Sequence, residues 1–307
     1  MTEGPEVPPP ADPQRRLGLS AAGRPAVIFF ALAAVFAAAP TAPASAPSPP
    51  TRQSESALTP LQREVEKQRA RLSSSDVEER REAVTRLGAM ARPEASRAAA
   101  AALGDASAVV RATAARAVLS PPAGEAATLV APLLRDRDEF VRREVAFALG
   151  RAGSAAALPA LAEALETDRE GAVRGAAAVA LGQIGDPAAS PFLAGSLARR
   201  LPPRVGHEQP RRRRVEQDEF VRRAAAVSLG QLRSREAVPV LVETLADERA
   251  PDDVRREAAR ALGLIGDPSA VPALRAALTA RDPYLARLAF EAVRALEAPT
   301  APPPGER

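Results

Sequence analysis

Residues Val205 to Arg214, VGHEQPRRRR, gather the chain's only histidine, a glutamate beside it and four consecutive arginines. A His–Glu pair can ligate a metal or move a proton, and a run of guanidiniums can hold a polyanion. One imidazole and one carboxylate are too few donors for a zinc site, which takes three or four protein ligands. A general base must be held within hydrogen-bond reach of its proton, and His207 stands among prolines and arginines in irregular sequence. With no other histidine and no cysteine, any Ser–His or Cys–His arrangement would have to rest on it. The one lysine, Lys67 in REVEKQRA, leaves no Walker A loop, and no G-x-G-x-x-G occurs. No catalytic residue, metal ligand or cofactor is therefore assigned.

Composition says what must position such residues. The 307 residues contain no Trp, one Tyr and eight Phe, so alanine has to supply much of the core, which points to close-packed helices. Bases and acids number 42 and 38, a net charge of +4 that demands no polyanionic partner. Heavy use of Arg, Ala and Pro beside a single Lys is the mark of a GC-rich bacterial genome.

Arg15, Arg16 and Arg24 precede the apolar run AVIFFALAAVFAAA, Ala26 to Ala39, and small residues follow at Ala42–Ala46. That order is a secretory signal's; fourteen residues fall short of the roughly 20 needed to span a bilayer. Residues 1–46 are expected to be a signal peptide or signal anchor. The protein is then extracytoplasmic, periplasmic or secreted, or else held at the inner membrane by residues 26–39, its one route to a membrane. Residues 47–57 read as a Pro/Ser-rich linker and 298–307 as a disordered tail.

Between these lies a repeat. VRREVAFALG from Val141 returns as VRGAAAVALG from Val173, VRRAAAVSLG from Val221 and VRREAARALG from Val254, with looser copies from Glu79, Val110 and Leu285. Successive starts are 31, 31, 32, 48, 33 and 31 residues apart. Each unit reads as two helices. Helix A follows a cap at Asp76, Ser107, Asp138, Asp218 or Asp282, three residues before the start, with Glu170 and Pro251 as exceptions. Gly88, Gly150, Gly182, Gly230 and Gly263 are expected to close helix A in the left-handed conformation. Pro159, Pro191, Pro239 and Pro272 open helix B. One pair cannot bury its apolar face, whereas stacked pairs make a continuous core. The expected fold is all-α: an α-solenoid superhelix of about seven two-helix repeats over 58–297, begun by an N-terminal capping helix. The one long gap places an inserted loop at 200–217, and insertions in solenoids map to one face.

The pattern D-x-x-V-R-x-x-A-A-x-A-L-G with A-V-P-x-L opening helix B resembles the HEAT-repeat family, armadillo-like helical proteins, and within it the short HEAT-like repeats of phycobilisome-lyase type. The resemblance implies that Arg80, Arg111, Arg142, Arg174, Arg222 and Arg255 form a structural ladder, for which Asp186 and Asp267 are candidate partners. It also implies two enzymatic precedents. Deoxyhypusine hydroxylase needs several His–Glu pairs where this chain has one; a bilin-lyase-like enzyme or accessory stays open as the alternative. The following slot, Arg81, Arg143, Arg223, Arg256 and Arg287, is a candidate positive stripe or a solvated face beside Glu82, Glu144 and Glu257.

The function expected is a non-catalytic, protein-binding scaffold whose concave face carries the B helices. Binding candidates are Glu163, Arg199, Glu243 and Arg275 there, with Arg211, Arg212, Arg213 and Arg214 in the inserted loop. Polyanion binding by those four arginines is a further alternative. Nucleic acid is disfavoured, since aromatic stacking residues are missing.

Overall fold

A computed structural model describes residues 58–198 and 211–298, without the side chains of 211–218. The signal and linker expected over 1–57, the tail after Ala298 and His207 lie outside the described residues. Every described residue belongs to one compact unit, Arg52–Arg307.

The described elements are all helices. α1 (Pro60–Arg71) opens the stack, and six A–B pairs follow. They are α2 (Val77–Ala89) with α3 (Pro93–Ala99), α4 (Ala108–Ala117) with α5 (Ala123–Val130), and α6 (Glu139–Ala152) with α7 (Leu158–Thr167). Next come α8 (Gly171–Ile184) with α9 (Ser190–Ala198), α10 (Arg211–Gln231) with α11 (Val238–Ala246), and α12 (Asp252–Ile265) with α13 (Val271–Ala277). α14 (Pro283–Glu297) ends the series as an A helix, so the seventh unit contributes a single helix among the described residues. This is the α-solenoid the repeats require. Its core is alanine packed around leucines such as Leu87, Leu149, Leu181, Leu229 and Leu262, the ninth residues of their units, all buried.

The caps follow the sequence where the polar residue is aspartate: Asp76, Asp138 and Asp282 each accept a helix N–H. Ser107 stands at the cap without a side-chain bond, and its own N–H donates to Asp105 over 2.8 Å. Asp218 does not cap, because α10 starts seven residues earlier, at Arg211. The inserted loop is thus corrected at its C-terminal end: 211–217 are helical. RRRRVEQ holds good helix formers with no Gly or Pro. Continuity with the buried part of α10 outweighs the repulsion of four cations at the positive end of a helix.

The tenth-position glycines also do something other than expected. They lie inside their helices, and the left-handed residues stand three positions later: Gly153, Gly185 and Gly266 at φ of 68°, 77° and 77°, and Ala91 and Arg233 at 49°. What Gly88, Gly150, Gly230 and Gly263 provide is room. A Cβ on Gly88 would meet the Ala117 Cβ at 2.9 Å, and one on Gly150 the Ala180 Cα at 2.8 Å. On Gly230 it would meet the Ala261 Cα at 2.9 Å, and on Gly263 the Ala292 Cβ at 2.9 Å. Each neighbour is the eighth residue of the next unit. Helix A therefore receives the next A helix through a Gly-on-Ala contact, repeated along the stack.

Candidate functional site

The charged groups sort into those that hold the stack together and those left for a partner. The ladder arginines come first. Arg80 donates Nε and Nη2 to Asp105, at 2.7 and 2.9 Å, and Arg111 does the same to Asp136, at 2.7 and 2.8 Å. Arg142 does so to Asp168, at 2.7 and 3.1 Å. Meanwhile Nη1 of Arg80, Arg111, Arg142 and Arg174 donates to the carbonyl of Ser74, Asp105, Asp136 and Asp168 respectively. Each of the first three arginines thus ties the turn before its own unit to the turn before the next. The pairs are buried, at 7% exposure for both the Arg142 and Asp168 side chains. The Asp105 carboxyl is held below its usual range by the Arg80 bond against the cost of burial, helped by the Ser107 N–H. At Asp136 burial pushes upward, but Arg111 and the Asp138 N–H outweigh it and the carboxyl is again lowered.

Asp186 and Asp267, expected as ladder partners, are not: each caps a 3-10 turn through the N–H of Ala188 or Ser269. The partner is instead the aspartate five residues before the next unit's start. That slot reads Asp105, Asp136 and Asp168, then Glu216, Arg249 and Ala280. Arg222 and Arg255, left without that carboxylate, turn Nε onto the carbonyls of Leu197 and Leu245, at 3.0 and 3.1 Å. In these units the next arginine makes the link. Arg256 donates to Asp282 at 2.6 and 2.9 Å, and Arg223 approaches Asp253 at 3.5 Å.

The would-be positive stripe is spent in the same way. Arg81 pairs with Glu78, and Arg287 with Glu291 at 2.8 Å. Arg143, Arg223 and Arg256 lie over Phe140, Phe220 and Tyr284, 5.4, 6.0 and 5.1 Å from the ring centroids. Unit four has Gly175 in this slot, and the Phe220 ring occupies the space a side chain would need.

A second set of links between units, all exposed, runs from α3, the turn after α5 and α13 to α5, α7 and the end of α14. Arg97 meets Glu125 at 2.7 Å, Arg135 meets Glu163 at 2.8 Å, and Arg275 meets Glu297 at 2.7 Å. Two sequence candidates, Glu163 and Arg275, are therefore engaged within the chain. Glu243 is exposed on α11. Arg199 lies outside the described residues, and Arg211 to Arg214 form the first turn of α10, their side chains not described. No group of acidic, His or Cys side chains among the described residues is arranged to hold a metal ion.

One groove of about 740 Å³ opens on this face between α5 with its following 3-10 turn (Ala131–Arg135) and α7. Glu163 lines it together with Arg135, Arg137 and Arg169. Sequence reasoning passed over these three arginines. The signal for two of them was the turn D-R-D at Asp136–Asp138 and D-R-E at Asp168–Glu170, which sets an arginine between the ladder aspartate and the helix cap.

The HEAT repeats family matches residues 126–207 and 248–304, and the PBS lyase HEAT-like repeat matches residues 221–247. No curated protein matches. Among solved structures the chain is similar to YibA of Escherichia coli, at 22% identity over 77% of this chain and 82% of that one, with a TM-score of 0.51. It is also similar to the CpcE–CpcF complex of phycocyanin lyase from Nostoc sp., at 24% identity over 83% and 99% with a TM-score of 0.44. Human deoxyhypusine hydroxylase gives 21% identity over 76% and 96%, with a TM-score of 0.36. At its identity, the likeness to YibA speaks to the fold alone.

Proposed function

The chain belongs to the HEAT-repeat family, and from that premise we propose that it is a non-catalytic scaffold that binds another protein along its B-helix face. The observation that carries this reading is the division of charge. The buried arginines and aspartates are consumed in the ladder, while the described B-helix face carries exposed, weakly held pairs and open grooves. Exposed ion pairs are each worth about 0–1 kcal/mol, so a partner can exchange them at little cost. A stack of repeats offers an extended surface rather than an enclosed pocket, which suits a protein ligand. Export through residues 1–46 belongs to the same proposal, and no helix among the described residues is long and apolar enough to cross a membrane.

Capture from an envelope extract on the immobilised protein tests the scaffold reading. A protein retained reproducibly and competed by free protein is expected; retention of none, beside a working control, refutes it. A second reading, an accessory of the bilin-lyase kind, draws on the PBS lyase HEAT-like repeat at 221–247. A visible absorption band on the natively purified protein would favour it over the scaffold.

A further inference from the structure

We propose that the groove between α5 and α7 receives an acidic segment of a protein partner, and that Glu163 holds the place of a ligand carboxylate on Arg135 while the groove is empty. This rests on the protein-binding reading and names the partner's chemistry and its site. The floor is made by Ala131, Pro132, Ala160 and Ala164, side chains too short to fill the space above them. Around it stand four guanidiniums: Arg142, which is bound to Asp168, and Arg135, Arg137 and Arg169 from two successive turns of the stack.

Charge decides what fits. Of the carboxylates lining the groove, Asp136 is bound by Arg111 and Asp168 by Arg142, both bidentate. Glu163 takes Nη2 of Arg135 with both oxygens, at 3.0 and 2.8 Å. Among the described residues Arg137 makes no ion pair within 4 Å, and Arg169 pairs with Glu170 only at 3.8 Å. The groove therefore holds one guanidinium with no ion pair among the described residues, a second only loosely paired with Glu170, and a third, Arg135, that is 79% exposed and whose carboxylate is 51% exposed. Such a pair is held weakly. An incoming carboxylate can take Arg135 while Glu163 returns to water, so the groove admits an acidic chain without leaving a charge buried.

The equivalent groove three units on, between α11 and α13, is also floored by alanines and measures about 780 Å³. It brings Glu248 and Asp252 to its edge beside Arg281, so an acidic segment should select the first groove. A nucleic acid fits less well, because no aromatic side chain lines the groove to stack a base.

The test is fluorescence anisotropy on the full chain with a labelled (Glu-Ala)5 peptide, with (Lys-Ala)5 and a dT10 oligonucleotide as counter-probes. The glutamate peptide is expected to bind and the lysine peptide not. Glu163→Gln should tighten binding about fivefold, since it removes the competing carboxylate. Arg137→Ser with Arg169→Ser should weaken it about tenfold or more, and replacing Arg211 to Arg214 by Ser should leave it unchanged. Circular dichroism confirms that each variant is folded. Failure of the glutamate peptide to bind, preference for dT10, no response to Glu163→Gln, or loss only on replacing Arg211 to Arg214 each overturns the proposal. A natural partner retained equally by wild type and by the Arg137/Arg169 variant retires this groove and leaves the scaffold reading intact. Failure to capture any protein retires the scaffold reading itself.

Discussion

Replacing Arg142 by Met should cost about 3 kcal/mol of stability, and the reason can be worked out bond by bond. The guanidinium donates to both oxygens of Asp168 and to the carbonyls of Asp136 and Arg137, and both partners are 7% exposed. Breaking a buried pair from one side typically costs about 3–5 kcal/mol, because the remaining charge has lost its partner. Asp168 keeps the Glu170 N–H at 2.9 Å, which places the expectation at the low end. The double variant Arg142→Met, Asp168→Leu should recover most of the loss, since it leaves no orphaned carboxylate. Removing Glu163 from its exposed pair with Arg135 should cost no more than about 1 kcal/mol. Urea unfolding followed by circular dichroism measures all three, with hydrogen exchange to show whether the opening stays near α6 and α8, as nearest-neighbour coupling predicts. If Arg142→Met costs less than about 1 kcal/mol, or the double variant is no better than the single, the ladder is not what joins the units. The reasoning would then fail.

Gly150→Val should destabilise by about 1–3 kcal/mol by overpacking, because even its Cβ would meet the Ala180 backbone at 2.8 Å. Gly104→Ala, with nothing within 4 Å, should be close to neutral, and thermal melts compare the two. The depressed carboxyls of Asp105, Asp136 and Asp282 set the pH dependence. A group whose folded value lies below its unfolded value stabilises the fold above the unfolded value, about 3.9 for Asp, and loses that contribution as pH falls through the folded value. Midpoint urea concentration should therefore hold steady from neutral pH to about 5 and drop below about 4. If Arg211 to Arg214 meet polyanions, retention on heparin should fall steeply with salt and vanish when all four become Ser. N-terminal sequencing of the mature protein checks the expected processing near residue 46.

The fold was legible because one sequence pattern returns at nearly constant spacing, and stacking is the one way such units bury their apolar faces. Details inside the unit were less so, because two physical demands can select the same residue type. Glycine at the tenth position looks like a helix terminator, yet the chain needs it there for contact with the next helix. The glycines that do terminate, Gly153, Gly185 and Gly266, stand three residues later; the last two are visible in sequence as turn signals, but not as the helix ends. The ladder partners were misread in a related way. Asp186 and Asp267 are conspicuous in their GDP turns, but a turn aspartate has its own N–H to satisfy. Asp105, Asp136 and Asp168 could have been found by aligning each unit with the turn that follows it.

That alignment also explains why the stack is joined differently at its two ends. Where the slot five residues before the next unit is aspartate, the second-position arginine reaches it. Where the slot is Arg249 or Ala280, the second-position arginine falls back on a carbonyl, and the third-position arginine crosses to Asp253 or Asp282 instead. The change of register brackets unit four, the unit with Gly175 in the third slot and the long spacing after it. A buried bidentate pair is costlier to break than a partly exposed one, since removing either partner leaves a charge stranded. The units joined by the most deeply buried pairs are thus the ones that carry the arginine-rimmed groove. A binding groove formed between two repeats keeps its width only while the turn beneath it holds, and Arg142, which lines that groove, is the residue that holds it.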